Sequence, residues 1–214
     1  LFRSTALAYL NTIPYDAVPL DAATADMLNG GFAAYNGGLA AAQAVGLISA
    51  SEVDARTIVY AAGQNAMLME DEYLTDLSAL GLPSWRQTTM NDKIVLPAIG
   101  LIGTAVGGNP TQINGVSVPL ADNIVLSSDE IAEVRARVLE YNATIETLTA
   151  QQGWALYDAY GILNQAVVQG VAFDDYVMTT DLVTGGFFSL DGIHTTARGS
   201  ALIANGMMEA IDAH

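Results

Sequence analysis

The chain has no cysteine, only two histidines, and 7 basic residues against 23 acidic ones. Without cysteine there is no disulfide, no thiolate zinc site and no thiol nucleophile. Two histidines, one of them the terminal His214, are too few for a histidine-built metal centre. The shortage of positive charge leaves a formal net charge of −16. Such a surface repels phosphate backbones, which argues against a nucleic-acid partner and against docking on anionic membranes. No uninterrupted apolar run approaches the ~20 residues that span a bilayer. Asn29-Gly30-Gly31 and Asn36-Gly37-Gly38 lack both the Lys-Ser/Thr of a P-loop and a full G-x-G-x-x-G, so they give little ground for a nucleotide site. Glu70-Asp71-Glu72 has no histidine beside it and no calcium-loop spacing, and reads as a solvated helix start. No cofactor is expected.

What is present suits one domain: 214 residues, 51% of them apolar, are enough for a core. Thr5–Leu10 reads as a buried strand running into the loop Asn11-Thr12-Ile13-Pro14-Tyr15. In open α/β sheets ligands gather at the C-terminal ends of strands, so Asn11 and Tyr15 are candidate walls of a substrate site. An ordinary strand-to-helix connection is the equal alternative. Residues 21–45 read as helix, with the two Asn-Gly-Gly triplets expected to break it or pack closely. Ser49 is spaced to cap a short helix. Thr57–Ala62 and Lys93–Ile99 are further strand candidates. Gln64 and Asn65 read as amides closing a turn, with polarisation of an ester carbonyl as the alternative. Asn114-Gly115, between Thr111–Ile113 and Val116–Val118, is a hairpin signal. Ser127 and Glu130 form a capping-box spacing. Ile131, Val134, Val138, Tyr141, Ile145 and Leu148 then mark one apolar helix face. A strand over Trp154–Ala159, a helix over 160–169 and a last helix over 197–212 complete the series. Strands alternating with helices predict an α/β fold with a mostly parallel sheet covered on both faces. Residues 15–90 are long for a sheet connection and are expected to form a helical, cap-like insertion.

Near the end stands Phe187-Phe188-Ser189-Leu190-Asp191-Gly192-Ile193-His194-Thr195-Thr196-Ala197-Arg198-Gly199. Asp191 precedes His194 by three residues, with Gly192 between them to permit a tight turn. A carboxylate beside an imidazole fixes its tautomer and stabilises the imidazolium, as a general base requires when it activates a hydroxyl. The pair falls on a loop before a helix, where catalytic groups commonly sit. Phe187, Phe188 and Val183 are apolar neighbours suited to an apolar acyl group. A turn histidine bonded to Asp191 with no chemistry is the plain alternative.

This run resembles the C-terminal block of the SGNH (GDSL-type) hydrolases, in which D-G-x-H-P-T-x-x-G supplies acid and base of a Ser-His-Asp triad. Asp191, Gly192, His194, Thr196 and Gly199 match it, and Thr195 stands in place of the proline. Residues 181–190, Ala34–Leu39 and Ala62–Ala66 are similar to a Bacteroidetes-type subgroup, in the same order. The resemblance implies a three-layer α/β/α fold with a flavodoxin-like parallel sheet. It also implies carboxylic-ester hydrolysis through an acyl-enzyme, with His194 as base and Asp191 as its orienting acid in preference to Asp158. The expected substrate is a small-molecule or lipid ester, and the expected setting is secreted, periplasmic or outer-surface in a bacterium. The family's Gly-Asp-Ser and Gly-x-Asn-Asp are absent, and the chain opens at Leu1. Residues 1–214 are therefore read as the C-terminal part of one such domain, with an upstream segment of the same protein supplying the nucleophile. Ser4 and Ser189 are the internal serines weighed as substitutes. The rival reading is a degenerate, non-catalytic hydrolase-like module that binds a lipid or glycan.

Overall fold

Asp21 accepts a hydrogen bond from the Thr24 amide at 2.7 Å and so caps the longest helix of its unit, α1 (Ala22–Ala44). The computed structural model describes residues 13–181 and 183–214; the expected strand over Thr5–Leu10, with Ser4 and Asn11, lies outside the described residues. The chain forms two units, one spanning Ile13–Asp129 and one containing Glu130–His214.

In the first unit α1 buries Ala25, Leu28, Phe32, Tyr35, Leu39 and Ala42, alternating steps of three and four that define one face. Against it lie Ile58, Tyr60, Met67, Leu68, Ile94 and Leu120. The Asn-Gly-Gly triplets do not break the helix. A Cβ on Gly38 would stand 2.6 Å from Leu82 Cδ2, so glycine there lets the Leu82 loop close onto the helix. The asparagines have a different use. Asn36 exchanges two hydrogen bonds with the backbone of Ile58, and Asn29 does the same with Tyr60. The Val59 amide donates to Gln87 Oε1. Residues 58–60 therefore form no strand; their backbone partners are side chains.

The short helix α2 (Ala50–Arg56) is capped by Ser49, as its spacing predicts. Arg56, fully buried at its end, donates to the Thr75 and Pro83 carbonyls. The strands are short and pair only in twos, all antiparallel: β1 (Val18–Leu20) with β2 (Gly63–Asn65), β3 (Leu68–Glu70) with β4 (Trp85–Gln87), and β5 (Lys93–Ile94) with β8 (Val125–Leu126). The fourth pair is β6 (Ala105–Val106) with β7 (Asn109–Ile113). Its turn is Gly107-Gly108, both at positive φ, as a tight hairpin turn needs. The hairpin expected at Asn114-Gly115 therefore forms one turn earlier, and Ile113 is instead bound back by the Ser117 and Val118 amides.

The second unit holds α3 (Ser128–Gln152), which starts at the boundary, α4 (Ala159–Val168), the antiparallel pair β9 (Val171–Phe173) and β10 (Tyr176–Met178), and α5 (Ala197–Asp212). Its core is Leu163, Ala166, Val171, Met178, Phe187 and Phe188. The expected apolar face of α3 is present, but only Val138 on that helix is buried; Tyr141, Ile145 and Leu148 are exposed.

The three-layer α/β/α fold with a mostly parallel sheet is thereby corrected. Among the described residues every sheet is a two-stranded antiparallel pair, and parallel pairing is confined to isolated bridges such as Met69 with Leu120. Three apolar runs misled the expectation. Thr57–Ala62 is bound by asparagine side chains, and Lys93–Ile99 gives two strand residues before a short 3-10 helix at Leu96–Gly100. Trp154–Asp158 enters no ladder. A short apolar run shows that a segment is buried, without fixing what pairs with its backbone.

Candidate active site

Phe187 and Phe188 anchor the loop that carries the Asp-His pair. Both are buried in the core of the second unit, their ring centroids 4.8 Å apart and tilted by 41°. Their side chains hold the loop down from beneath and present no surface to a ligand, whereas Val183 is exposed.

From Phe188 the chain turns and returns within seven residues. Phe188 and Thr195 form an antiparallel bridge, and the Ser189 amide donates to the His194 carbonyl at 2.7 Å. The Gly192 amide closes a turn onto the Ser189 carbonyl at 3.0 Å, and Gly192 sits at φ +72°, where a side chain would be strained. At the far end Thr196 caps α5, accepting from the Gly199 amide at 3.1 Å while its hydroxyl donates to the Gly186 carbonyl at 2.6 Å. Gly199 itself lies so close to the Phe187 carbonyl that a Cβ would collide with backbone. The glycines and the capping threonine of the motif thus each have a geometric task.

Within this frame Asp191 is the organiser. Its Oδ1 accepts from the Ile193 and His194 amides, both at 2.9 Å, and from the Ser189 hydroxyl at 2.7 Å. Its Oδ2 lies 2.6 Å from His194 Nδ1. Backbone donation from Ile193, with the bonds from Ser189 and His194, holds the Asp191 carboxyl well below the usual aspartate range. An ionised carboxylate there makes Nδ1 the protonated nitrogen of the neutral ring and leaves Nε2 as the acceptor. Among the described residues none hydrogen-bonds Nε2, and the His194 side chain is 79% exposed. The carboxylate is half exposed as well, so solvent screens the pair and the turn, more than charge attraction, sets its geometry.

The structure thus brings Asp191 and His194 together. Phe187 and Phe188 lie in the core, and Tyr15 belongs to the other unit. Tyr15 is half-buried there, its carbonyl accepting from the Thr88 hydroxyl and the Met67 amide. Asp158 caps α4 through the Gly161 amide, and Asp191 is the carboxylate beside His194. The hydroxyl of Ser189, a candidate nucleophile by sequence, donates to Asp191 Oδ1. The sequence did hold a signal for this: Ser-x-Asp-Gly two residues before a histidine is a polar turn whose short side chains bond the local backbone. Gln64 lies in β2, and the Asn65 side chain bonds the Ala61 and Gly63 backbone, closing a turn. Comparison of the chain with protein-family profiles, with curated proteins and with solved structures finds no match.

Proposed function

We propose that this chain supplies the base and orienting acid of a serine ester hydrolase. The observation that carries the reading is the His194 Nδ1 to Asp191 Oδ2 contact of 2.6 Å, with Nε2 left open to an incoming hydroxyl. The likeness of residues 181–199 to the SGNH block supports it. A serine on a segment upstream of this chain is the nucleophile. Its proton passes to Nε2 as its oxygen bonds to the ester carbonyl; the imidazolium returns that proton to the departing alcohol. Water then repeats the sequence on the acyl-enzyme, releasing the acid and regenerating serine. Asp191 stabilises the imidazolium and keeps the ring turned. The substrate is a small-molecule or lipid ester.

Fluorophosphonate labelling tests this on the protein as it occurs in its cell and on residues 1–214 alone. One label on an upstream serine, lost when His194 is replaced by alanine, is expected; residues 1–214 alone should not label. A complete protein that does not label, or labels equally without His194, would overturn the reading in favour of a non-catalytic lipid- or glycan-binding module.

A further inference from the structure

We infer that the unit spanning Ile13–Asp129 holds a binding site for an uncharged aliphatic group. A cavity of about 390 Å³ lies between β1, the first turns of α1 and the segment around β7. That size falls within the range of small-ligand sites, roughly 300–1,000 Å³. At ~30 Å³ per water-sized atom it accommodates on the order of a dozen non-hydrogen atoms. Its walls include Val18, Leu20, Leu28, Ile102, Ile113 and Val116.

The polar groups on the wall decide the ligand's chemistry. Among the described residues no charged side chain lines the cavity. Two of its three hydroxyls are already engaged. Ser117 donates to the Thr111 carbonyl and accepts from the Ile113 amide, at 2.7 and 2.8 Å. Thr111 donates to Asn109 Oδ1 at 2.9 Å. Pro19 and Pro110, also on the wall, carry no N–H. The wall is mainly apolar, which favours an apolar occupant. A carboxylate or phosphate would find no cation among the described residues of the wall, in a chain whose net charge is −16. The site therefore takes an alkyl chain of a neutral molecule and rejects a free fatty-acid anion. Met27, on the wall yet 64% exposed, and Thr24, one turn before it on α1, mark the mouth.

Titration of the full chain with 1-octanol, followed by methyl NMR, tests the site. Saturable shifts confined to Met27, Leu28, Ile102, Ile113 and Val116 are expected, and octanoate at neutral pH should bind at least tenfold more weakly. Thr24→Trp and Met27→Trp, which fill the mouth from a half-buried and an exposed position, should each weaken octanol binding tenfold or more. Ala33→Trp, on the exposed side of α1, should leave it unchanged. Circular dichroism verifies that each variant is folded. Shifts that do not saturate or that scatter over the surface, octanoate binding as tight as octanol, or full affinity in both folded mouth variants would each overturn the proposal.

Discussion

Asn36 and Ile58 face each other as two strand residues would: Asn36 Nδ2 donates to the Ile58 carbonyl at 2.9 Å, and the Ile58 amide donates to Asn36 Oδ1 at 3.0 Å. Asn29 and Tyr60 repeat the pattern at 2.9 and 2.8 Å. The two asparagines lie seven residues apart on α1, two turns, and therefore on one face. They complete the backbone hydrogen bonding of a segment whose Ile58 is wholly buried. Replacing Asn36 with alanine strands one donor and one acceptor in the core. A loss of about 2–4 kcal/mol is expected, from the cost of unpaired buried polar groups. Asn36→Asp keeps the acceptor but turns a second oxygen toward the Ile58 carbonyl, so it should not rescue. Urea unfolding gives the loss, and amide exchange at Ile58 and Tyr60 shows whether it is local.

This pairing also shows where the sequence stopped being legible. Helix starts could be read: Ser49 caps its helix as expected, and helices begin at Ala22 and Ala197, within a residue of the expected bounds. The Asp191–His194 pair was legible because its donors and acceptors lie within six residues of one another. Pairing partners were not. Nothing local in Thr57–Ala62 distinguishes a strand beside another strand from a strand beside two helical asparagines, and the first assumption produced a parallel sheet that does not form. Phe187 and Phe188 show the same limit. An aromatic pair beside a histidine reads as a ligand wall, and only the packing with Leu163, Val171 and Met178 makes it a floor.

Arg86 should be the most sensitive charged residue in the first unit. It is buried with Asp71 and Asp92, donating through Nε to Asp71 and through both terminal nitrogens to Asp92 at 2.8 Å. Burial alone would raise the Asp92 carboxyl, but hydrogen bonds and charge from Arg86, with the bond from Thr89, hold it below its ordinary value. Arg86→Met leaves two buried carboxylates without their cation, and a loss of about 3–5 kcal/mol is expected. The pH dependence should change with it. A depressed carboxyl contributes stability above its unfolded value of 3.8 that is lost as pH falls through the lower folded value. Denaturant midpoints of the wild type should therefore fall on acidification below pH 3.8, and those of Arg86→Met should fall less. Equal slopes would show that Asp92 does not depend on Arg86.

For Asp191 the same sign applies in an exposed setting. Its carboxyl is held low chiefly by the Ile193 amide, then by the Ser189 hydroxyl and by His194. Carbon-13 titration of the labelled carboxyl should give a midpoint well below 3.8. Ser189→Ala removes one of the donors and should move that midpoint upward without unfolding the turn, since the Ile193 and His194 amides still hold Oδ1. A midpoint that stays put in Ser189→Ala would mean the hydroxyl has another partner in solution.

Gly199 ties the helix after the site to the core beneath it. A Cβ there would meet the Phe187 carbonyl oxygen and then the Thr195 side chain at 3.2 Å. Backbone cannot swing aside as a flexible side chain would. Gly199→Ala must therefore push α5 away from Phe187, disturbing the Thr196 bonds to the Gly199 amide and the Gly186 carbonyl. Overpacking of this kind costs about 1–3 kcal/mol, more than the roughly 1 kcal/mol that glycine to alanine contributes within a helix. The net expectation is a loss. Because α5 begins three residues after His194, the loss should extend to the site: amide exchange at His194 and Thr196 should quicken in the variant, while Ile58 in the other unit keeps its protection. A variant as stable as the wild type, with His194 equally protected, would show that the loop and helix do not need this close approach.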